Sequence, residues 1–254
     1  MRAVASLCVV LLALSACGQP MEGISGNAEP GLIVVPGPDG KWPPDLEVGC
    51  PAGPTFPISA LEEVADLEAA GREEVKAAIQ PFLTNEEGRF WPQDGWRILH
   101  ETDTDILLVH HDPSGDLAFM TVARTGDGWE WAGGQIGGPC PLRIAMPEGL
   151  NTVDWRLDPA AGSPTEESEE VPLLLTEREC VGGQEIGDRL AGPEIVLTEE
   201  AALIAFAATP PEGDAFTCQG NPETPYLVEL PEPLGQREVR SGLELGISLE
   251  DYLD

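Results

Sequence analysis

Apolar positions in the first half of the chain change period near residue 96. Leu61, Val64, Ala65 and Leu67 recur at helical spacing behind Ser59, and Glu62 stands three residues after that serine as in a capping box. A helix is therefore predicted to begin there. Gly71 interrupts it, and Val75, Ala78, Ile79 and Phe82 carry the stripe on to a disturbance at Pro81, which gives one kinked helix or two short ones. Such a stripe is read as a face that packs on a sheet. Four strand-like runs follow: Trp96–His100, Asp105–His111, Leu117–Arg124 and Trp129–Ala132. Asp112-Pro-Ser-Gly115 and Gly126-Asp-Gly128 between them suit tight hairpins, because proline presets one turn dihedral and glycine accepts a positive one. A helix followed by an antiparallel meander is an α+β layout, assigned to a first domain at 45–146.

Beyond Pro147 the runs shorten to Val153–Leu157, Val171–Thr176, Glu194–Leu197, Ala201–Ala208, Tyr226–Leu230 and Arg237–Val239, with proline, glycine and acidic residues between them. Six short strands without an intervening helix predict an all-β second domain at 147–248, a small β-sandwich with an immunoglobulin-like arrangement as one form of it. Residues 249–254 are left as a tail. Before the first domain, Pro36-Gly-Pro-Asp-Gly40 and Trp42-Pro-Pro44 make 17–44 a Gly/Pro-rich tether, with Trp42 placed to dock on the first domain.

The start of the chain has a different character. Arg2, an apolar run from Ala3 to Leu14 and small residues before a cysteine form a secretory signal, 1–16, too short to span a bilayer. Leu14-Ser-Ala-Cys17 matches the lipobox of bacterial lipoprotein precursors, and that resemblance implies cleavage before Cys17 and a diacylglycerol on its thiol. Two acyl chains together hold a protein stably to a membrane, at ~0.8 kcal/mol per buried methylene. Localisation on the extracytoplasmic face of a cell membrane follows as the expectation. The later run Ala201–Ala208 falls far short of the roughly twenty residues of a membrane helix and reads as a buried strand.

Charge narrows the partners. The chain carries 45 acidic and 13 basic side chains, a formal charge of −32, and loses one arginine with the signal. Nucleic acid and anionic head groups are thereby disfavoured. The acids are spread along the chain, as on a solvated surface, although capture of cations or of a basic partner is the functional alternative. Cys8 leaves with the signal and Cys17 takes lipid, so Cys50, Cys140, Cys180 and Cys218 remain, an even number for an oxidising compartment. Of three possible pairings, Cys50 with Cys140 and Cys180 with Cys218 keeps each bond within one expected domain.

Cys180-Val-Gly-Gly183, Asp188-Arg-Leu-Ala-Gly-Pro-Glu194, Leu203–Ala208, Cys218-Gln-Gly-Asn-Pro222 and Val228-Glu-Leu-Pro-Glu-Pro-Leu-Gly235 make up much of the last third of the chain. This stretch resembles uncharacterised secreted lipoproteins of high-GC Gram-positive bacteria. The resemblance implies an extracytoplasmic module and favours the Cys180–Cys218 pair, and it implies no activity.

Candidate chemistry is sparse. The three histidines, His100, His110 and His111, lie on two adjacent predicted strands, with His110 and His111 on opposite faces. One of them with His100 and Glu101, Asp103 or Asp105 would make a zinc-type donor set; surface histidines are the plainer reading. His100-Glu101 lacks the second histidine of a zincin, Asp103-Thr-Asp105 lacks the glycine of an EF-hand, and Gly23-Ile-Ser-Gly-Asn27 lacks the last glycine of a hydrolase elbow. Trp91, Trp96, Trp129 and Trp131 gather in the first domain, either as core or as stacking platforms for sugars. No catalytic, cofactor-binding or metal residue is assigned. The expected function is a non-enzymatic binding or envelope-accessory lipoprotein with a cell-envelope or protein partner. A carboxylate enzyme acting on envelope material and a metal-binding surface protein stand as the alternatives.

Overall fold

Ile106, Leu107, Leu108 and Val109 are all buried, so the strand that carries them has to be the middle layer of three. The computed structural model describes residues 31–51, 53–84, 91–112, 114–126, 128–213 and 216–253. Its strands, numbered in chain order, form three sheets. The first sheet joins β1 (Glu47–Gly49) and β2 (Thr55–Pro57) to β8 (Pro141–Ile144) and β15 (Glu244–Ser248), in the order β15-β8-β1-β2. The second is the meander β3 (Ala65–Asp66), β4 (Arg97–Glu101), β5 (Asp105–His111), β6 (Leu117–Thr125) and β7 (Gly128–Gly137). The third takes β9 (Asn151–Leu157), β10 (Glu170–Glu177), β11 (Leu190–Leu197), β12 (Ala201–Ala208) and β13 (Thr224–Glu229) in the order β11-β12-β9-β10-β13, with β14 (Glu238–Ser241) parallel to β12.

The meander separates two cores. Leu107 and Val109 point toward the first sheet and meet Val48, Phe56 and Leu142. Ile106 and Leu108 point the other way, onto the stripe Val75, Ile79 and Leu83 of α1 (Glu73–Thr84). Glu73 and Glu74 occupy the first turn of α1, where carboxylates favour the helix dipole, and Pro81 sits inside the helix. The helix expected at Ser59 is not there. Ile58–Glu62 forms a short 3-10 turn with Pro57 at its N-cap, and the chain is extended by Ala65 to pair with β4. The reason is the layering: Leu61 goes to one core and Leu67 to the other, so positions that mimic one helical stripe are shared between two layers. The expected hairpins do form, Asp112 Oδ1 accepting from the amides of Ser114 and Asp116, and Gly126 taking φ 60°.

The second half is one curled sheet, a half-barrel, in place of the two facing sheets of the expected sandwich. Alternate residues Val171, Leu173 and Leu175 of β10 and Ala202, Ile204, Phe206 and Ala208 of β12 fill its inner side with Val153 and Val228. The curl brings the Phe206 ring to 5.3 Å from Tyr226, although two strands separate β12 from β13. Chain returns cross the boundary expected at residue 147. β15, at the end of the expected second domain, pairs with β8, and Arg143 of β8 reaches Asp154 of β9 at 2.8 Å.

Two disulfides are present, Cys50–Cys140 and Cys180–Cys218. Residues 249–254, expected as a tail, include the turn Leu249–Tyr252, which buries Leu249 and Leu253 in the core below the meander. No helix among the described residues is long and apolar enough to cross a membrane. Cys17 and the expected signal lie outside the described residues.

Candidate functional site

From Gly31 on, the residues expected as tether lie against the body. The amides of Leu32 and Ile33 donate to Oε2 and Oε1 of Glu194, at 2.5 and 3.2 Å. Ile33 is buried against Ala205 and Leu243, and a Cβ on Gly242 would come within 2.6 Å of its side chain, so only glycine leaves room there. A turn then reverses the chain: Gly37 N–H donates to Lys41 O, Gly40 N–H to Gly37 O, and Gly40 adopts φ 75°. Asp39 accepts the Lys41 amide. Trp42 packs on the core below the meander, and the carbonyl of Pro44 accepts from Ser59 N–H.

This strap, the Ile58–Glu62 turn and Tyr252 enclose a groove of about 730 Å³. Its floor is Ile58 and Leu61, its walls include Trp42, Pro43, Pro44, Val35 and Tyr252, and Asp39, Lys41, Ser59 and Glu62 stand on its rim. Tyr252 and Val35 are exposed. An apolar floor, two aromatic side chains and a few polar groups make a site suited to organic ligands of moderate size. Two rim carboxylates against one lysine, on a chain this acidic, favour neutral or cationic groups in it.

The residues singled out in the sequence mostly lie elsewhere. Trp96 is buried, Trp91 lies 6.3 Å from it and edge-on to Phe82, and Trp131 stacks on Phe82 at 4.1 Å. Trp129 carries the Arg124 guanidinium over its ring. The four tryptophans thus form a packing cluster with α1 in which Trp131 keeps one exposed edge. Trp42 and Tyr252 are the groove's aromatics, and Tyr252 was missed because a six-residue acidic tail gives no sign of folding back.

His100 lines a smaller hollow with Ser59, Glu63, Arg72 and Glu101, where Arg72 holds Glu101 at 2.8 and 3.0 Å. Asp105 accepts from the Thr104 hydroxyl. Among the described residues no three His, Cys, Asp or Glu side chains gather as a metal set.

His110 and His111 do fall on opposite faces. The His110 ring lies against Gly95 and Trp96, and its Nδ1 is buried without a hydrogen-bond partner among the described residues. Burial pushes this imidazole below its ordinary pKa, against the opposing pull of Asp112 and Asp94, while His111 and Arg97 add to the lowering. The unfolded chain therefore takes up the proton first as pH falls. The stabilisation from a neutral His110 is complete above about pH 6.5 and is lost as pH drops through that value toward the lowered folded pKa. Urea midpoints at pH 7.5 and 5.5 are expected to show a drop for the native chain and a smaller one for His110→Gln. Equal drops in both would mean that His110 is not the group responsible.

No known protein family matches the chain, and neither a curated protein sequence nor a solved structure matches it significantly.

Proposed function

We propose that this chain is a lipid-anchored extracytoplasmic binding protein, held to the membrane through Cys17 and presenting the Trp42–Tyr252 groove to a neutral or cationic envelope component. The groove carries the reading. It is a broad apolar hollow among the described residues that also has aromatic walls and charged or polar residues at its rim. Leu14-Ser-Ala-Cys17 supports the anchor, and two disulfides support an oxidising compartment outside the cytoplasm. Because the strap is held from Gly31, residues 17–30 alone would link lipid to body, with a reach of at most roughly 50 Å. A groove so tethered samples the layer next to the membrane, which fits an accessory role in the envelope.

Intact mass and membrane fractionation of the native protein beside Cys17→Ser test the anchor. The native form is expected to carry lipid and sediment with membranes, and the variant to be released. Identical behaviour without lipid would overturn the anchor. Binding to isolated cell-envelope fragments is expected to fall at least tenfold in Trp42→Ala and Tyr252→Ala, about 1.4 kcal/mol or more. Unchanged retention in both would remove the groove from the reading.

A further inference from the structure

We infer that Glu194 is a latch that holds the wall of the groove in place, so that the strap and the groove open and close as one unit. The inference deepens the reading of the groove as the binding site and takes its functional meaning from that reading. Most of the groove's lining belongs to a single segment: Val35, Gly37, Asp39, Lys41, Trp42, Pro43 and Pro44 come from the strap, against five residues from the rest of the fold. The strap has no strand partner, since it pairs with none of the three sheets. At its far end it is tied to the body by the bond from Ser59 N–H to Pro44 O. At its near end the ties are the carboxylate of Glu194 on two successive amides and the burial of Ile33.

Glu194 is placed for this by an irregularity in β11. The register of β11 on β12 shifts between Ala191 and Glu194, with Gly192 at φ 105°. Such a bulge turns the next side chain away from its regular direction. Here it follows that the Glu194 carboxylate leaves the β11–β12 ladder and reaches the strap. Gly31 permits the approach, because a Cβ there would lie 2.6 Å from Oε1 of Glu194. The patch under the strap is apolar on both sides, Ile33 and Leu32 above and Ala205, Leu243, Val196 and Leu203 below. Loss of the two charge-assisted hydrogen bonds would loosen Ile33 and, two residues on, Val35 at the groove wall. Binding in the groove and closure of the latch are then reciprocal: each favours the other by the same factor. Glu194 is a positioning residue for the groove, about 150 residues away in sequence from the aromatic wall at Trp42.

Native-state hydrogen exchange on the full mature chain, read by mass spectrometry without any ligand, tests this. The hydrogen-bonded amides of Leu32, Ile33, Gly37 and Gly40 are expected to exchange through one common opening with one dependence on urea. In Glu194→Gln all four are expected to exchange roughly tenfold faster or more, with the β12 amides unchanged. Gly242→Val, which drives Ile33 out by contact and leaves Glu194 intact, is expected to have the same effect. If Gly37 and Gly40 open separately from Leu32 and Ile33 in the native chain, or if Glu194→Gln speeds only the latter pair, the latch is wrong. A groove that binds nothing leaves these rates untouched, so failure of the binding reading and failure of the latch are separate results.

Discussion

Replacing Cys50 and Cys140 by serine is expected to lower the stability of the folded chain by about 4.6 kcal/mol, the largest effect of any single crosslink in the molecule. The bond closes a loop with a sequence separation of 90, and the chain entropy it removes from the unfolded state grows with the logarithm of that number. The second bond, with a separation of 38, comes to about 3.9 kcal/mol by the same relation. The folded state adds a reason for the order. Cys50 follows β1 and Cys140 precedes β8, two short strands of a sheet assembled from segments far apart in sequence. The Cys140 amide also donates to Glu250, which seats the C-terminal turn against the same core. A domain's net stability is about 5–15 kcal/mol, so either loss is a large share of the total. Urea unfolding of the two double-serine variants beside the native chain measures both. A larger loss from Cys180 and Cys218 than from Cys50 and Cys140 would show that loop length does not govern the crosslinks.

Arg189→Met is expected to cost about 3–5 kcal/mol, because it strands a carboxylate that has no access to water. The Glu177 side chain is 0 % exposed, and Arg189 holds it through two bonds of 2.9 and 2.5 Å while Asn151 donates to it at 2.7 Å. Arg189 also bonds the carbonyls of Thr209 and Glu185, so one guanidinium closes the end of the half-barrel. The pair as a whole is a poor source of net stability, since removing two charges from water offsets most of their attraction. Glu177→Leu combined with Arg189→Met is therefore expected to be far less damaging than Arg189→Met alone. Thermal or urea unfolding of the single and double variants checks this. A double variant as unstable as the sum of its singles would mean that the two groups act independently.

Strands with a clear alternating or continuous apolar run were legible from sequence alone. Asp105–His111 and Ala201–Ala208 form with the expected bounds, the runs at Val153, Val171 and Glu194 lie within strands, and those at Tyr226 and Arg237 overlap β13 and β14 to within one residue. The two cysteine pairs form as the spacing suggested. β1, β2, β8 and β15 were not legible, because strands of three to five residues contain too few alternations to show a period. The groove was visible only in part. Trp42 stood out as an aromatic in a Gly/Pro-rich segment, but Glu194 is one of 45 acids, and nothing local distinguishes the one that accepts two strap amides from those that face solvent.

The sequence by itself determined the longer strands, an amphipathic helical stripe at Val75–Phe82 that packs on the meander, and an even set of four cysteines that form two bonds. These follow from local spacing and composition, which act over a few residues or over the chain as a sum. Tertiary structure alone decided that the second half curls into a half-barrel, that β15 returns to pair with β8, and that the strap and the C-terminal turn meet around a groove. The half-barrel depends on pairings between strands tens of residues apart, and the other two on contacts a hundred or more positions apart; in each the energy lies in the fit of two surfaces, and neither surface carries a mark of its partner in the order of its residues.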